Sequence, residues 1–179
     1  MSKSKNFLLG ELTAQTRDIV KVLEAESEIG AVLVATSFLD SCLNTLLRTQ
    51  LRSGKTTERI LNPQNGLLGT YAGKCEIAYC FGLIEKDIFN ELILLGEIRN
   101  IFAHDHLECT FSNQEISTRC KKLKLPKMHL DAHTDASNFE DLKKYMENPR
   151  SCFSLSASRL SNLLIMDGMS NKWHGNKCV

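Results

Sequence analysis

Between Ile29 and Leu51 the chain carries Val32, Ala35, Leu39, Leu43 and Leu46 or Leu47, a recurrence of three to four residues with Phe38 beside it. Only a helix turns such positions onto one side, and a stripe this broad must be covered by other helices. The segment is expected to be a central core helix. From Glu11 to Glu28, Leu12, Ile19, Val20 and Leu23 fall at the same period among charges, which predicts an amphipathic first helix. Glu85 to His104 is the longest periodic run, with Ile88, Leu92, Leu95, Ile98 or Arg99, and Phe102 on one side. Gly96 inside it costs roughly 1 kcal/mol against alanine, which a close helix contact would offset.

Turn chemistry punctuates these runs. Arg52-Ser53-Gly54-Lys55 stops the core helix, and Asn62-Pro63-Gln64-Asn65-Gly66 is a dense turn, leaving Thr56 to Leu61 as a short helix. Thr70 to Phe81 places Tyr71, Cys75, Ala78 and Tyr79 or Cys80 on one side before Gly82 breaks the pattern. Ser112 with Glu115 reads as a capping box for a helix through Ile116, Cys120 and Leu123, ended by Pro126. Lys127 to Ser137 reads as a polar loop, and Asn138 to Asn148 as a short helix. Beyond Pro149, the positions Phe153, Ala157, Leu160, Leu163 and Leu164 predict a last helix stopping at Gly168. No strand alternation or solenoid period appears, so the expected fold class is all-α, a single multi-helix bundle. Its expected limits are a flexible terminus over 1–10, one domain over 11–168 and a tail over 169–179.

A chain of 179 residues supports one sizeable core, and 22 Lys and Arg against 21 Asp and Glu give none of the basic excess of phosphate-neutralising binders. Seven cysteines without a CxxC pair fit reduced thiols, hence a cytoplasmic setting, and no uninterrupted apolar run suggests a signal peptide or membrane span.

Three pieces in order, Phe38-Leu39-Asp40-Ser41-Cys42-Leu43, Leu67-Leu68-Gly69-Thr70 and Ile98-Arg99-Asn100-Ile101-Phe102-Ala103-His104, resemble the mannitol operon repressor (MltR-like) family. The resemblance runs from about Leu12 to about Met166 and weakens between Lys127 and Asn148. It implies an all-helical repressor-like regulator of transcription that acts through another protein or its own copies, without reading DNA itself. The motif residues it singles out are Phe38, Leu39, Asp40, Gly69, Arg99, Asn100, Phe102 and His104.

Arg99-Asn100-Ile101-Phe102-Ala103-His104 also resembles the signature of HEPN domains, some of which cleave RNA without a metal. Under that alternative the catalytic residues are Arg99, Asn100 and His104: the imidazole moves a proton at the 2′-hydroxyl and the guanidinium stabilises the phosphorane. Five residues at roughly 100° each put Arg99 and His104 about 140° apart on a regular helix, so they converge only at a frayed end or across a dimer. Asn100 and His104, four apart, share a face. The plainer reading is that Arg99 and Asn100 tie the helix to the next loop while His104 sits at the negative end of the helix dipole.

Other constellations are weaker. His104-Asp105-His106 with Cys109 lack the four well-spaced ligands of a closed zinc site, and His129 and His133, four apart with Asp131 and Asp135 nearby, would suit a metal only on a helix where a solvated acidic loop is read, so no metal is expected. Arg119, Lys121, Lys122, Lys124 and Lys127 form a basic cluster without interleaved aromatics, read as a solvated helix face. Gly66-Leu67-Leu68-Gly69-Thr70 is not a phosphate-binding loop, so no nucleotide cofactor is expected. Cys75, Cys80 and Cys152 read as small core residues, and nothing supports redox sensing by Cys109 or Cys178. The leading expectation is a non-enzymatic regulator; an endoribonuclease is the alternative.

Overall fold

The structure is a computed structural model that describes residues 19–104, 109–131 and 139–170. Within them the chain is helical and has no strand, an all-α bundle as the periodicity predicts. The helices are α1 (19–25), α2 (Glu28–Gln50), α3 (Lys55–Ile60), α4 (Tyr71–Cys80), α5 (Lys86–His104), α6 (Gln114–Cys120), α7 (Leu125–Asp131), α8 (Phe139–Glu147) and α9 (Pro149–Ser170). The expected terminus over 1–10, Leu12 and the tail beyond Ser170, with Cys178, lie outside the described residues.

The stripe on α2 makes it the central helix. Val32, Ala35, Leu39, Leu43, Leu46 and Leu47 are all within 1% of complete burial, against α4, α5 and α9. By length and composition alone α2 would be apolar enough to cross a membrane, which the sequence reading did not foresee; in the fold that stripe faces other helices. Ser27 starts it by accepting from the Gly30 amide at 3.1 Å, satisfying one of the orphan donors of the first turn. α9 packs along α2, and its small residues Ser154, Ser156, Ala157 and Ser161 are each almost fully buried. Phe102, Phe111 and Phe153 close the core between α5, the loop before α6 and α9, with ring centroids 5.2 and 5.5 Å apart.

Polar side chains fix the helix ends to one another. Arg150 at the start of α9 donates to the carbonyls of Leu23 at 2.9 Å and Glu26 at 2.6 Å, placing a cation at the negative end of α1. Glu28 accepts from the Phe111 amide at 2.7 Å. Glu91 on α5, only 3% exposed, accepts from the amides of Lys124 (3.0 Å) and Leu125 (3.2 Å) and from the Ser156 hydroxyl (2.8 Å). One carboxylate thus caps α7 and binds α9.

Several boundaries differ from expectation for local reasons. Asn113, not Ser112, caps α6, accepting from the Glu115 amide at 2.9 Å, while Glu115 turns to Arg119 one turn on at 2.8 Å. Pro126 does not end that helix but lies in the first turn of α7, where a missing N–H removes no helical bond. Residues 127–131, read as loop, are therefore helical. α9 passes through Gly168 to Ser170, since glycine weakens a helix interior by only about 1 kcal/mol. Gly82 does end α4 as expected: its φ of 66° lets the Leu83 amide reach back to the Ala78 carbonyl at 2.9 Å. Cys75 and Cys152 are buried, but Cys80, expected in the core, is exposed because it lies off the Cys75–Ala78 face at the end of α4.

Glu91→Ala strands the donors at the start of α7 and on Ser156. The expected loss is about 3 kcal/mol, since a buried unpaired donor costs about 1–3 kcal/mol, or roughly 6–12 °C in Tm. Glu91→Gln keeps one carbonyl oxygen and should lose less; a thermal melt showing the reverse order would refute this account. A second expectation concerns alkaline pH. Burial pushes the thiols of Cys42, Cys75 and Cys120 up to about 12, from an ordinary value of 9.0. Above about pH 9 the unfolded chain releases thiol protons that the folded chain keeps, so stability present below that pH is lost as pH rises toward 12. The steepest slope is about 1.4 kcal/mol per pH unit for each thiol. Cys42→Ala should flatten the alkaline decline in urea midpoint, and an unchanged slope would contradict the assignment.

Candidate functional site

Helical spacing on α2 and α5 brings distant parts of the chain to one open groove. Leu33, Thr36, Ser37 and Asp40 line it from α2, and Ile93, Gly96, Glu97 and Asn100, with Arg99, line it from α5. Gly69 to Ala72 closes the end where the turn after α3 enters α4. The groove's volume is about 720 Å³, within the range of ordinary binding clefts.

The wall between α2 and α4 rests on a buried charge. Lys74 is 1% exposed, and its ammonium donates to both oxygens of Asp40, at 2.8 and 2.6 Å. The Asp40 side chain is 34% exposed and forms part of the groove surface. Burying a cation is tolerable only with such a partner. Sequence reading missed Lys74, although Tyr71, Lys74, Cys75 and Ala78 have the i, i+3, i+4, i+7 spacing of a core face.

The turn at the groove's end is held by its backbone. The Gly66 amide donates to the Asn62 carbonyl at 2.8 Å, Leu68 to Ile60 at 2.7 Å and Gly69 to Gly66 at 3.0 Å. A Cβ at Gly66 or Gly69 would run into the carbonyl oxygen of Asn62. Thr70 then caps α4 by accepting from the Gly73 amide at 3.1 Å. Leu67, between the two glycines, is 84% exposed. A rigid turn therefore presents an apolar side chain to solvent, a feature that the polar character of most turns would not suggest.

Tyr71 links this end to α5. Its hydroxyl donates to the Leu92 carbonyl at 3.1 Å, and its ring lies 3.1 Å from where a Gly96 Cβ would stand. This is the close contact anticipated for Gly96. Burial, with smaller effects from Cys75 and Asp40, pushes the Tyr71 hydroxyl well above its ordinary value, so it remains a donor.

The residues singled out by the sequence divide into two sets. Leu39 and Phe102 are fully buried core, and Phe38 packs partly buried against that core. Asp40, Gly69, Arg99 and Asn100 line the groove. His104 does not: it lines a separate shallow depression with Glu97, Asn100, Ile101, Glu115 and Arg119. Arg99 and His104 thus line two adjoining hollows, as their angular spacing implied, with Glu97 and Asn100 lining both. Asn100 accepts from Arg99 at 3.1 Å through its side-chain oxygen. Nothing in this arrangement supports the HEPN-like reading, which needs the guanidinium and imidazole at one phosphate. Asp105, His106, His133 and Asp135 lie outside the described residues, as does the part of the loop, 105–108, next to the end of α5.

Comparison with protein-family models and with curated proteins gives no match. Among solved structures, the chain is similar to a chain in the X-ray structure of the MtlR-HPr complex from Escherichia coli. The TM-score is 0.64 at 22% identity, covering 84% of this chain and 98% of that one. The fold is MtlR-like.

Three substitutions test the groove's construction. Asp40→Ala leaves the buried Lys74 ammonium without its carboxylate and should cost about 3–5 kcal/mol. Lys74→Met leaves an aspartate that water reaches, and should cost clearly less. Equal losses in urea unfolding would show that Lys74 finds water or another partner. Gly69→Ala should lose about 1–3 kcal/mol, because the obstruction is backbone that cannot swing aside; an unchanged urea midpoint would mean that the turn is not fixed as described.

Proposed function

We propose that this chain is a non-enzymatic, repressor-like regulator that acts by docking a partner protein, with the α2–α5 groove and Leu67 as its docking surface. The observation that carries this reading is the convergence of Asp40, Gly69 and the Arg99-Asn100 pair on one groove. These residues come from the three separate stretches that resemble the repressor family. Three helices and a turn maintain that surface, while the chain has no basic excess for holding a nucleic-acid backbone.

The chemistry suits protein recognition. Leu67 offers an exposed apolar anchor on a backbone that loses little freedom on binding, and Arg99 offers an exposed guanidinium. Asp40 and Glu97 add acceptors, and Leu33 and Ile93 add apolar surface. The similar structure holds MtlR together with HPr, so an HPr protein is the first partner to test. Self-association belongs to the same proposal, through Val22, Ile29 and Leu33, each about 40% exposed.

Calorimetric titration with HPr from the same organism is the direct test. Unmodified protein should bind, and Leu67→Asp or Arg99→Ala should weaken binding by at least roughly tenfold, as expected for interface anchors, without lowering Tm. Absence of a complex, or a complex insensitive to both substitutions, would overturn the assignment. Tight, specific binding of an operator duplex by the chain alone would overturn the indirect mode of action.

A further inference from the structure

A second cavity, sharing no residue with the groove, lies where the α6–α7 turn meets the α8–α9 junction. Its volume is about 320 Å³, at the small end of the range for ligand pockets. Cys120, Leu123, Pro126 and Cys152, all buried, form the floor. Met146 and Pro149 complete an apolar wall. Burial raises both thiols, Cys120 to about 12, so they stay protonated and behave as apolar surface.

The rim has the opposite character. Lys121 and Lys127 flank the opening, with Glu147 as the acidic group beside them. Of the basic cluster, Arg119 is paired with Glu97 and Glu115, and Lys124 with Asp87. Lys121 and Lys127 form no ion pair among the described residues, and both are exposed. The basic run is thus not uniform: two of its members are neutralised, and two border an apolar cavity.

The turn carrying these lysines is fixed. The Lys121, Lys122 and Leu123 amides donate to Ser117 at 3.0 Å, Arg119 at 2.9 Å and Cys120 at 3.2 Å. Across the cavity, the Cys152 thiol donates to the Met146 carbonyl at 2.9 Å, holding α8 against α9. The walls are therefore formed without a ligand, which reduces the entropy lost on binding. An apolar chain entering the cavity leaves water, while a terminal anion stays at the lysine rim, where both charge and hydration are satisfied.

We propose that this cavity binds a small anionic amphiphile, a single apolar chain or ring ending in a carboxylate, with Lys121 and Lys127 holding the anion. The site is separate from partner docking and would let such a compound brace the α6–α7 turn against α8 and α9.

The test uses the full chain with anilinonaphthalene sulfonate as reporter, displaced by decanoate or by uncharged decanol. Decanoate should displace the reporter and raise Tm at concentrations at which decanol does neither. Lys121→Glu with Lys127→Glu should weaken decanoate by roughly tenfold, equivalent to about 1.4 kcal/mol, while the arginine pair restores it. Both variants change exposed side chains and should keep the unmodified melting curve in the absence of ligand. No binding of decanoate, equal displacement by decanol, or indifference to the glutamate pair would each overturn the proposal.

Discussion

A carboxylate that is 3% exposed must satisfy its charge from within the protein, and Glu91 does so by accepting from two amides at the start of α7 and from one hydroxyl on α9. Removing a carboxylate from water is tolerable only when several donors replace its hydration. Those donors come from residues 124, 125 and 156, so satisfying one side chain on α5 fixes two elements distant in sequence. The same carboxylate supplies the positive end of α7 with an acceptor that its short, proline-bearing first turn lacks. The basic turn and the cavity behind it stand where they do because α7 begins at Glu91.

Lys74 plays the corresponding part between α2 and α4. Its pair with Asp40 replaces what would be apolar packing on a core face by a contact with strict geometry. Apolar side chains of similar volume would pack there as well, and often more stably. What the pair adds is position: Asp40 is held at the groove surface and α4 is fixed in register against α2. With Tyr71 bridging to Leu92 and lying over Gly96, both long groove walls are tied to the same short helix.

Helix type and order were legible because apolar positions recur every three to four residues in α2, α5 and α9. The errors cluster where one residue carries two opposite meanings. Pro126 reads as a stop and acts as a start, since proline is excluded from a helix interior but accepted in its first turn. Ser112 and Asn113 are both capping residues, and the choice between them depends on how the loop leaves Phe111, whose amide is fixed by Glu28 far away in sequence. The two buried charges were visible as interruptions. Glu91 falls on the Ile88, Leu92, Leu95 face, and Lys74 on the Tyr71, Cys75, Ala78 face. A charge at a position where the period requires an apolar residue points to a partner on another helix, though the sequence does not name that partner.

The repressor-like motif divides in the same way. Leu39 and Phe102 serve the core, whereas Asp40, Arg99 and Asn100 beside them reach the groove. Neighbouring residues on a helix point about 100° apart, so a short motif on a half-buried helix necessarily mixes packing with surface chemistry. That geometry also bears on function. Arg99 and Asn100 sit together on the groove while His104 falls into another depression. A nuclease needs its cation and its proton carrier at one phosphate, whereas a docking surface needs only that its anchors share one face. Within a single copy of the chain Asp40, Gly69, Arg99 and Asn100 line one groove, the arrangement on which the proposed docking role rests.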